Sequence, residues 1–165
     1  MSTFFYKLNN TESKCAEWIG SSQQQYAQSS GLNDHKIDGS QSGVEIHVEG
    51  SGAEFAFAKV HGIYPNFHEG GPIKFDFVID GMRVDVKSTK YTSGNLLLPL
   101  KLTLANSAEA FALVRGTISD GFDYAGWVTA EEYFAKAEKR NLGWGLTWFL
   151  DASQLRQELV KKPNL

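Results

Sequence analysis

The run Lys74-Phe75-Asp76-Phe77-Val78-Ile79-Asp80-Gly81-Met82-Arg83-Val84-Asp85-Val86-Lys87 constrains the fold of this chain more than any other stretch. Phe75, Phe77 and Ile79 alternate with Asp76, Val78 and Asp80, and Val84 and Val86 alternate with Arg83, Asp85 and Lys87, which is the period-two pattern of half-buried strands. Asp80-Gly81 between them is a favoured two-residue hairpin turn. Counting outward from Ile79 opposite Met82, that turn sets Asp76 directly against Asp85, in a non-hydrogen-bonded pair whose Cα atoms stand about 4.5 Å apart. Like charges so placed are destabilising. They require a cation between them or a raised pKa on one acid, and a divalent metal is the simpler answer. Lys87, two residues beyond Asp85, projects from the same face and brings a fixed positive charge and proton donor to the pair. The apolar pairs Phe75/Val86 and Phe77/Val84 line the opposite face.

The rest of the chain supplies what such a hairpin needs to pack against. At 165 residues, with 42% hydrophobic and 13% aromatic content, it suffices for a single domain spanning 1–165. A net charge of -3 argues against coating nucleic acid by bulk basicity, while leaving a local basic groove open. Cys15 is the only cysteine, which rules out an internal disulfide framework and a cysteine-based zinc site and fits a reducing compartment. The first residues lack the apolar run of a signal peptide, and no stretch approaches the roughly 18 apolar residues of a membrane span. The expectation is a soluble, cytoplasmic protein with no membrane partner.

Helical spacing of Cys15, Ala16, Trp18, Ile19 and Tyr26 predicts a first helix over about 11–26, capped by Asn10 or Thr11. The Ser-, Gly-, Asp- and Asn-rich segment at about 29–50 reads as a mobile connection holding at most a short extended piece at Val44–Val48. A short buried helix is expected from about Gly52 to His61. Ser51 and Glu54 match a capping box at its start; the other reading aims Glu54 at the Asp76/Asp85 pair as a third carboxylate. After the hairpin, 95–100 reads as a third strand buried on both faces and disturbed by Pro99, 110–116 as a fourth and 124–128 as a fifth. Thr129 caps a helix running to about Lys139, with Glu132 at the capping-box position. A strand or aromatic loop follows at 142–150, and Asp151 caps a short C-terminal helix.

Other chemistries find less support. His35, His47, His61 and His68 offer no close zinc-ligand spacing. Glu69-Gly70-Gly71-Pro72 lacks the Lys-Ser/Thr of a phosphate loop and reads as a turn. No nucleophile-elbow pattern surrounds any serine. Trp127, Trp144 and Trp148 could stack on bases, but their place in strands and near the C-terminus reads as core. Oxygen-rich carboxylate sites suit Mg²⁺ or Mn²⁺ rather than zinc.

Glu54 on a helix, then Asp76, then Asp85-Val86-Lys87, resembles the PD-(D/E)XK nuclease superfamily in order and spacing. Gly52-Ala53-Glu54-Phe55-Ala56-Phe57-Ala58-Lys59, Val84-Asp85-Val86-Lys87-Ser88-Thr89 and Leu97-Leu98-Pro99-Leu100-Lys101 are similar to small phage-encoded nucleases of that superfamily, whose setting would be the host cytoplasm. The resemblance covers roughly 51–114, and Phe75 stands where the family name has proline. It implies a mixed α/β, restriction-endonuclease-like core of helix, β-hairpin and third strand with flanking helices. It further implies a Mg²⁺- or Mn²⁺-dependent nuclease hydrolysing phosphodiester bonds in DNA, with Glu54, Asp76, Asp85 and Lys87 as the catalytic set. Asp76, Asp85 and the Val86 carbonyl would hold the metal, with Glu54 directly or through water, and Lys87 would orient or help deprotonate the attacking water and meet charge developing on the phosphate. Ser88, Thr89, Lys90 and Lys101 would contact the DNA backbone, and a homodimer is a further implied partner. The alternative is a non-catalytic nucleic-acid-binding or protein-interaction module on the same fold, which the acidic net charge and the Ser/Gly-rich segment would suit.

Overall fold

A computed structural model describes residues 4–30, 42–65 and 74–164. In these residues the chain runs β1 (Phe5–Tyr6), α1 (Asn10–Ser29), α2 (Gly43–His61), β2 (Phe77–Ile79), β3 (Met82–Thr89), β4 (Leu96–Leu98), β5 (Ala110–Thr117), β6 (Gly121–Thr129), α3 (Ala130–Lys136), β7 (Glu138–Asn141) and β8 (Leu146–Leu150), ending in a 3₁₀ turn at Ala152–Gln154. It is a mixed α/β fold. A five-stranded sheet has the order β1-β6-β5-β3-β2, and a three-stranded sheet the order β4-β8-β7. β3 and β5 pair in parallel, and the other neighbours in both sheets are antiparallel.

Alternation along β5 divides the core in two. Ala110, Ala112 and Val114 join Phe57, Phe77, Val84, Val86 and Trp127 under the helical side. Phe111 and Leu113 point the other way, into Leu96, Leu98, Leu150 and Tyr133 of the small sheet and α3. Both faces of the large sheet are therefore covered, as a sheet with a parallel pair at its centre requires. The Tyr133 hydroxyl donates to the Leu96 carbonyl at 3.1 Å, and the Thr147 hydroxyl to the Leu98 carbonyl at 2.8 Å. These bonds fasten the small sheet from within. Among the described residues no helix is long and apolar enough to cross a membrane.

The segment read as a connection is partly helix. Val44, Ile46 and Val48 alternate like a strand, yet α2 begins at Gly43, with Ser42 as N-cap and Glu45 returning the bond to its backbone. Helix wins because α1 gives this stretch a face to pack on. A Cβ at Gly20 would lie 2.4 Å from the Val48 Cα, so the two backbones meet with only hydrogen between them. Across the same pair, Lys59 Nζ meets Glu12 Oε1 at 3.1 Å. Ser51 is consequently buried inside α2, and Glu54 is a mid-helix residue rather than a first-turn cap. Residues 31–41 with His35, His68, and the stretch 69–72 expected as a turn lie outside the described residues.

Two further expectations change. The third strand, 96–98, belongs to the small sheet, where Leu96 pairs with Leu150, instead of continuing the hairpin. Pro99 ends it in a turn closed by Leu102 N–H on the Pro99 carbonyl. α3 stops at Lys136 because 138–141 is claimed by β8 as an edge partner. Its cap is as expected, Thr129 accepting from Glu132 N–H at 3.2 Å, but the Glu132 side chain binds Arg156 instead of completing a capping box.

Candidate active site

The hairpin forms with the predicted turn. Asp80 and Gly81 have φ of 51° and 76°, the two left-handed residues a type I′ turn demands. Ile79 pairs with Met82, Val78 with Arg83 and Phe77 with Val84. The ladder ends there, one step short of Asp76/Asp85. The Asp76 N–H donates to the Val84 carbonyl at 2.8 Å, and the Asp76 side chain accepts the Val86 N–H through Oδ2 at 2.7 Å. A carboxylate thus takes the donor that a continuing strand would have used, which turns the acid toward β3 rather than leaving it beside the ladder.

Asp85 is buried, and its Oδ2 lies 2.8 Å from Lys87 Nζ. The two side chains share a face of β3 because they are two residues apart on a strand. Their neighbours on β5 are Phe111 and Leu113, so the pair opens toward the small sheet. Burial, and then the Asp85 charge, push the Asp76 carboxyl up to about 7. Glu54 is raised well above its ordinary value by burial and by the charges of Asp76 and then Asp85. Burial alone would lower the Lys87 ammonium, but Asp85, Asp76 and Glu54 hold it above its ordinary value. Glu54, Asp76, Asp85 and Lys87 are therefore one electrostatic cluster, with three acids to one base. Asp85 and Lys87 line a cleft, whereas Glu54 and Asp76 are not among its lining residues; mutual perturbation of this kind marks a candidate functional site. Among the described residues, no group of three His, Cys, Asp or Glu side chains converges closely enough to hold a metal ion by itself.

Asp85 and Lys87 line a cleft of about 960 Å³ that Ser88, Thr89 and Lys101 also line. Lys101 sits on a built loop. Asn106 accepts the Thr103 N–H through Oδ1 at 2.7 Å and donates through Nδ2 to the Lys101 carbonyl at 3.0 Å. Lys90 stands outside the cleft lining, its ammonium 5.2 Å from the Tyr91 ring centroid. Of the tryptophans, Trp127 is buried in the core under the helices, and Trp148 packs partly buried against the other core, beside the small sheet. Trp144 departs from that reading: it is 43% exposed and lines the cleft. Lys74, Tyr91 and Asn106 are among the lining residues that no motif nominated, and Trp144 is one that the sequence assigned to the core. Gly143 and Gly145 on either side of Trp144 were the available signal, since glycine-flanked aromatics mark loop tips. Compared with protein-family models, curated proteins and solved structures, the chain matches none.

Proposed function

We propose that this chain is a Mg²⁺-dependent nuclease that hydrolyses phosphodiester bonds in DNA, on a restriction-endonuclease-like core formed by α2, the β2–β3 hairpin and β5. The observation that carries the reading is the ion pair between Asp85 Oδ2 and Lys87 Nζ, 2.8 Å apart in a cleft, with the acids Asp76 and Glu54 crowding it. Burial first, and then the deficit of positive charge left by three carboxyls facing one ammonium, raise Asp76 and Glu54. A hard divalent cation would relieve that deficit. Mg²⁺ keeps several waters and takes only one or two protein carboxylates together with substrate phosphate, so Asp76, Asp85 and the Val86 carbonyl would hold it, and Glu54 would reach it through water. When bound, the ion supplies an acidified water and charge neutralisation.

The protein's own groups have distinct tasks. Val86 N–H fixes the Asp76 carboxylate against β3. Lys87, held charged by its acidic neighbours, hydrogen-bonds the non-bridging phosphate oxygens as charge grows there. The attacking water releases a proton to solvent as its oxygen bonds to phosphorus, the ester P–O bond breaks, and the leaving alkoxide takes a proton from solvent. Ser88, Thr89 and Lys101 line the same cleft and would contact the DNA backbone without reading sequence.

Incubation of purified protein with supercoiled, linear and branched DNA plus Mg²⁺ or Mn²⁺ tests this. Metal-dependent cleavage that is lost in Lys87→Ala is expected; no cleavage of any substrate, or full cleavage by Lys87→Ala, overturns it. A non-catalytic binding module on the same fold draws support from the Lys87–Asp85 pairing, which already neutralises one acid. Calorimetric titration with Mn²⁺ separates the two, because the enzyme binds the ion and Asp76→Asn weakens that binding.

A further inference from the structure

The cleft beside Asp85 and Lys87 is bounded by the tip of the β7–β8 hairpin, and that tip is apolar. Trp144 is 43% exposed, Leu142 40% and Leu146 57%. Gly143 and Gly145 on either side of Trp144 have φ of 97° and 129°, and neither has an atom within 4 Å of where a Cβ would sit. The Gly143 N–H is held by Asn141 Oδ1 at 2.9 Å. Trp144 is thus carried out from the body on a shaped turn. Its indole has no hydrogen-bond or ring partner among the described residues.

From this placement we propose that Trp144 is a stacking platform for an unpaired base, so that the DNA taken into the cleft is single-stranded or frayed at the point of contact. The proposal rests on the nuclease reading for the position of the phosphate at Lys87. Two observations favour an unpaired strand over intact duplex. An aromatic ring needs a free base face to stack on, and duplex bases already stack on each other; base–aromatic stacking works on any unpaired base. The second observation is charge. Phosphate contacts dominate duplex binding, which draws on some 6–10 of them, whereas the cleft is lined by Lys74, Lys87 and Lys101, with Lys87 already paired to Asp85, in a chain of net charge -3. Stacking supplies affinity that so few cations cannot. Lys101, its carbonyl fixed by Asn106, is left to meet a backbone phosphate.

Fluorescence anisotropy with the full chain tests this, using an end-labelled single-stranded oligonucleotide and a blunt hairpin duplex of the same length, with Ca²⁺ in place of Mg²⁺. Preference for the single strand is expected. Trp144→Ala should weaken single-strand binding about ten- to a hundredfold, Trp144→Phe should restore most of it, and neither should change duplex binding. Equal affinity for the two forms overturns the proposal. So does single-strand affinity untouched by Trp144→Ala, or a change of oligomeric state in that variant in place of a change in affinity. Because cleavage is not read, the outcome is separable from the nuclease assay. Trp144-dependent binding without any cleavage would remove the nuclease reading alone, and Lys87-dependent duplex cleavage indifferent to Trp144 would remove this one alone.

Discussion

The Asp76 carboxylate accepts the backbone N–H of Val86 at 2.7 Å, so the strand that presents Asp85 also grips the acid that repels it. A carboxyl raised in the fold favours folding while neutral and loses that advantage as pH rises through its folded value, here about 7. Ionised at pH 8 and without metal, Asp76 works against the fold. Asp76→Asn keeps an acceptor for Val86 and removes one charge. The variant should therefore be more stable than the parent at pH 8 by about 1–3 kcal/mol, measured by urea denaturation in EDTA, while losing Mn²⁺ binding. A less stable variant would contradict the charge-crowding argument.

The contact between α1 and α2 gives a second prediction. Alanine at an exposed helix position ordinarily favours helix over glycine. At Gly20 the added Cβ would meet the Val48 Cα at 2.4 Å, and backbone cannot step aside as a flexible side chain can. Gly20→Ala should destabilise by about 1–3 kcal/mol despite its better propensity, read as a lower urea midpoint with an unchanged slope.

His61 ties the C-terminal segment to α2. Its Nδ1 lies 2.9 Å from the Phe57 carbonyl and donates to it, while Nε2 accepts the Val160 N–H at 3.0 Å. Phe57 stacks at 4.0 Å and Tyr124 meets the ring edge-on at 5.1 Å. Both ring nitrogens are in use only while the ring is neutral, and burial lowers the His61 pKa. A base depressed in the fold contributes stability above its unfolded value of about 6.5, and that stability is lost as pH falls toward the folded value. Hydrogen exchange at the Val160 amide should quicken below about pH 6 relative to amides of β5. His61→Gln should flatten the decline.

The start of α2 offers a simple check. Ser42 accepts from Glu45 N–H at 3.2 Å, and Ser42→Ala should cost about 1 kcal/mol in thermal or urea unfolding. A substitution at Ser51, by contrast, would probe helix packing, because that side chain is buried.

The hairpin was legible in the sequence because one dipeptide determines it. With Asp80 and Gly81 both left-handed, register is a matter of counting, and the acids come together with Lys87 as the alternation required. The last step was hidden, since nothing local announces that Asp76 leaves the ladder and bonds Val86 through its side chain. The start of α2 was hidden for a different reason. Val44, Ile46 and Val48 carry a strand's period, and the evidence against it lies at Gly20, in another helix. The small sheet joins 96–98 to 146–150, and so distant a pairing leaves no trace in either segment alone. Trp144 was misread because three residues of aromatic-rich sequence look alike whether buried or exposed, and only the flanking glycines set it apart.

The cleft lies at the seam between the two sheets. The acids and Lys87 stand on or beside the large sheet, whereas Lys101 follows β4 and Trp144 tips the β7–β8 hairpin, both on the small one. On the proposed nuclease reading, chemistry and substrate choice would be inherited separately: drift in the small sheet's loops would redirect the protein to a new polynucleotide shape while the acids and Lys87 on the large sheet stayed as they are.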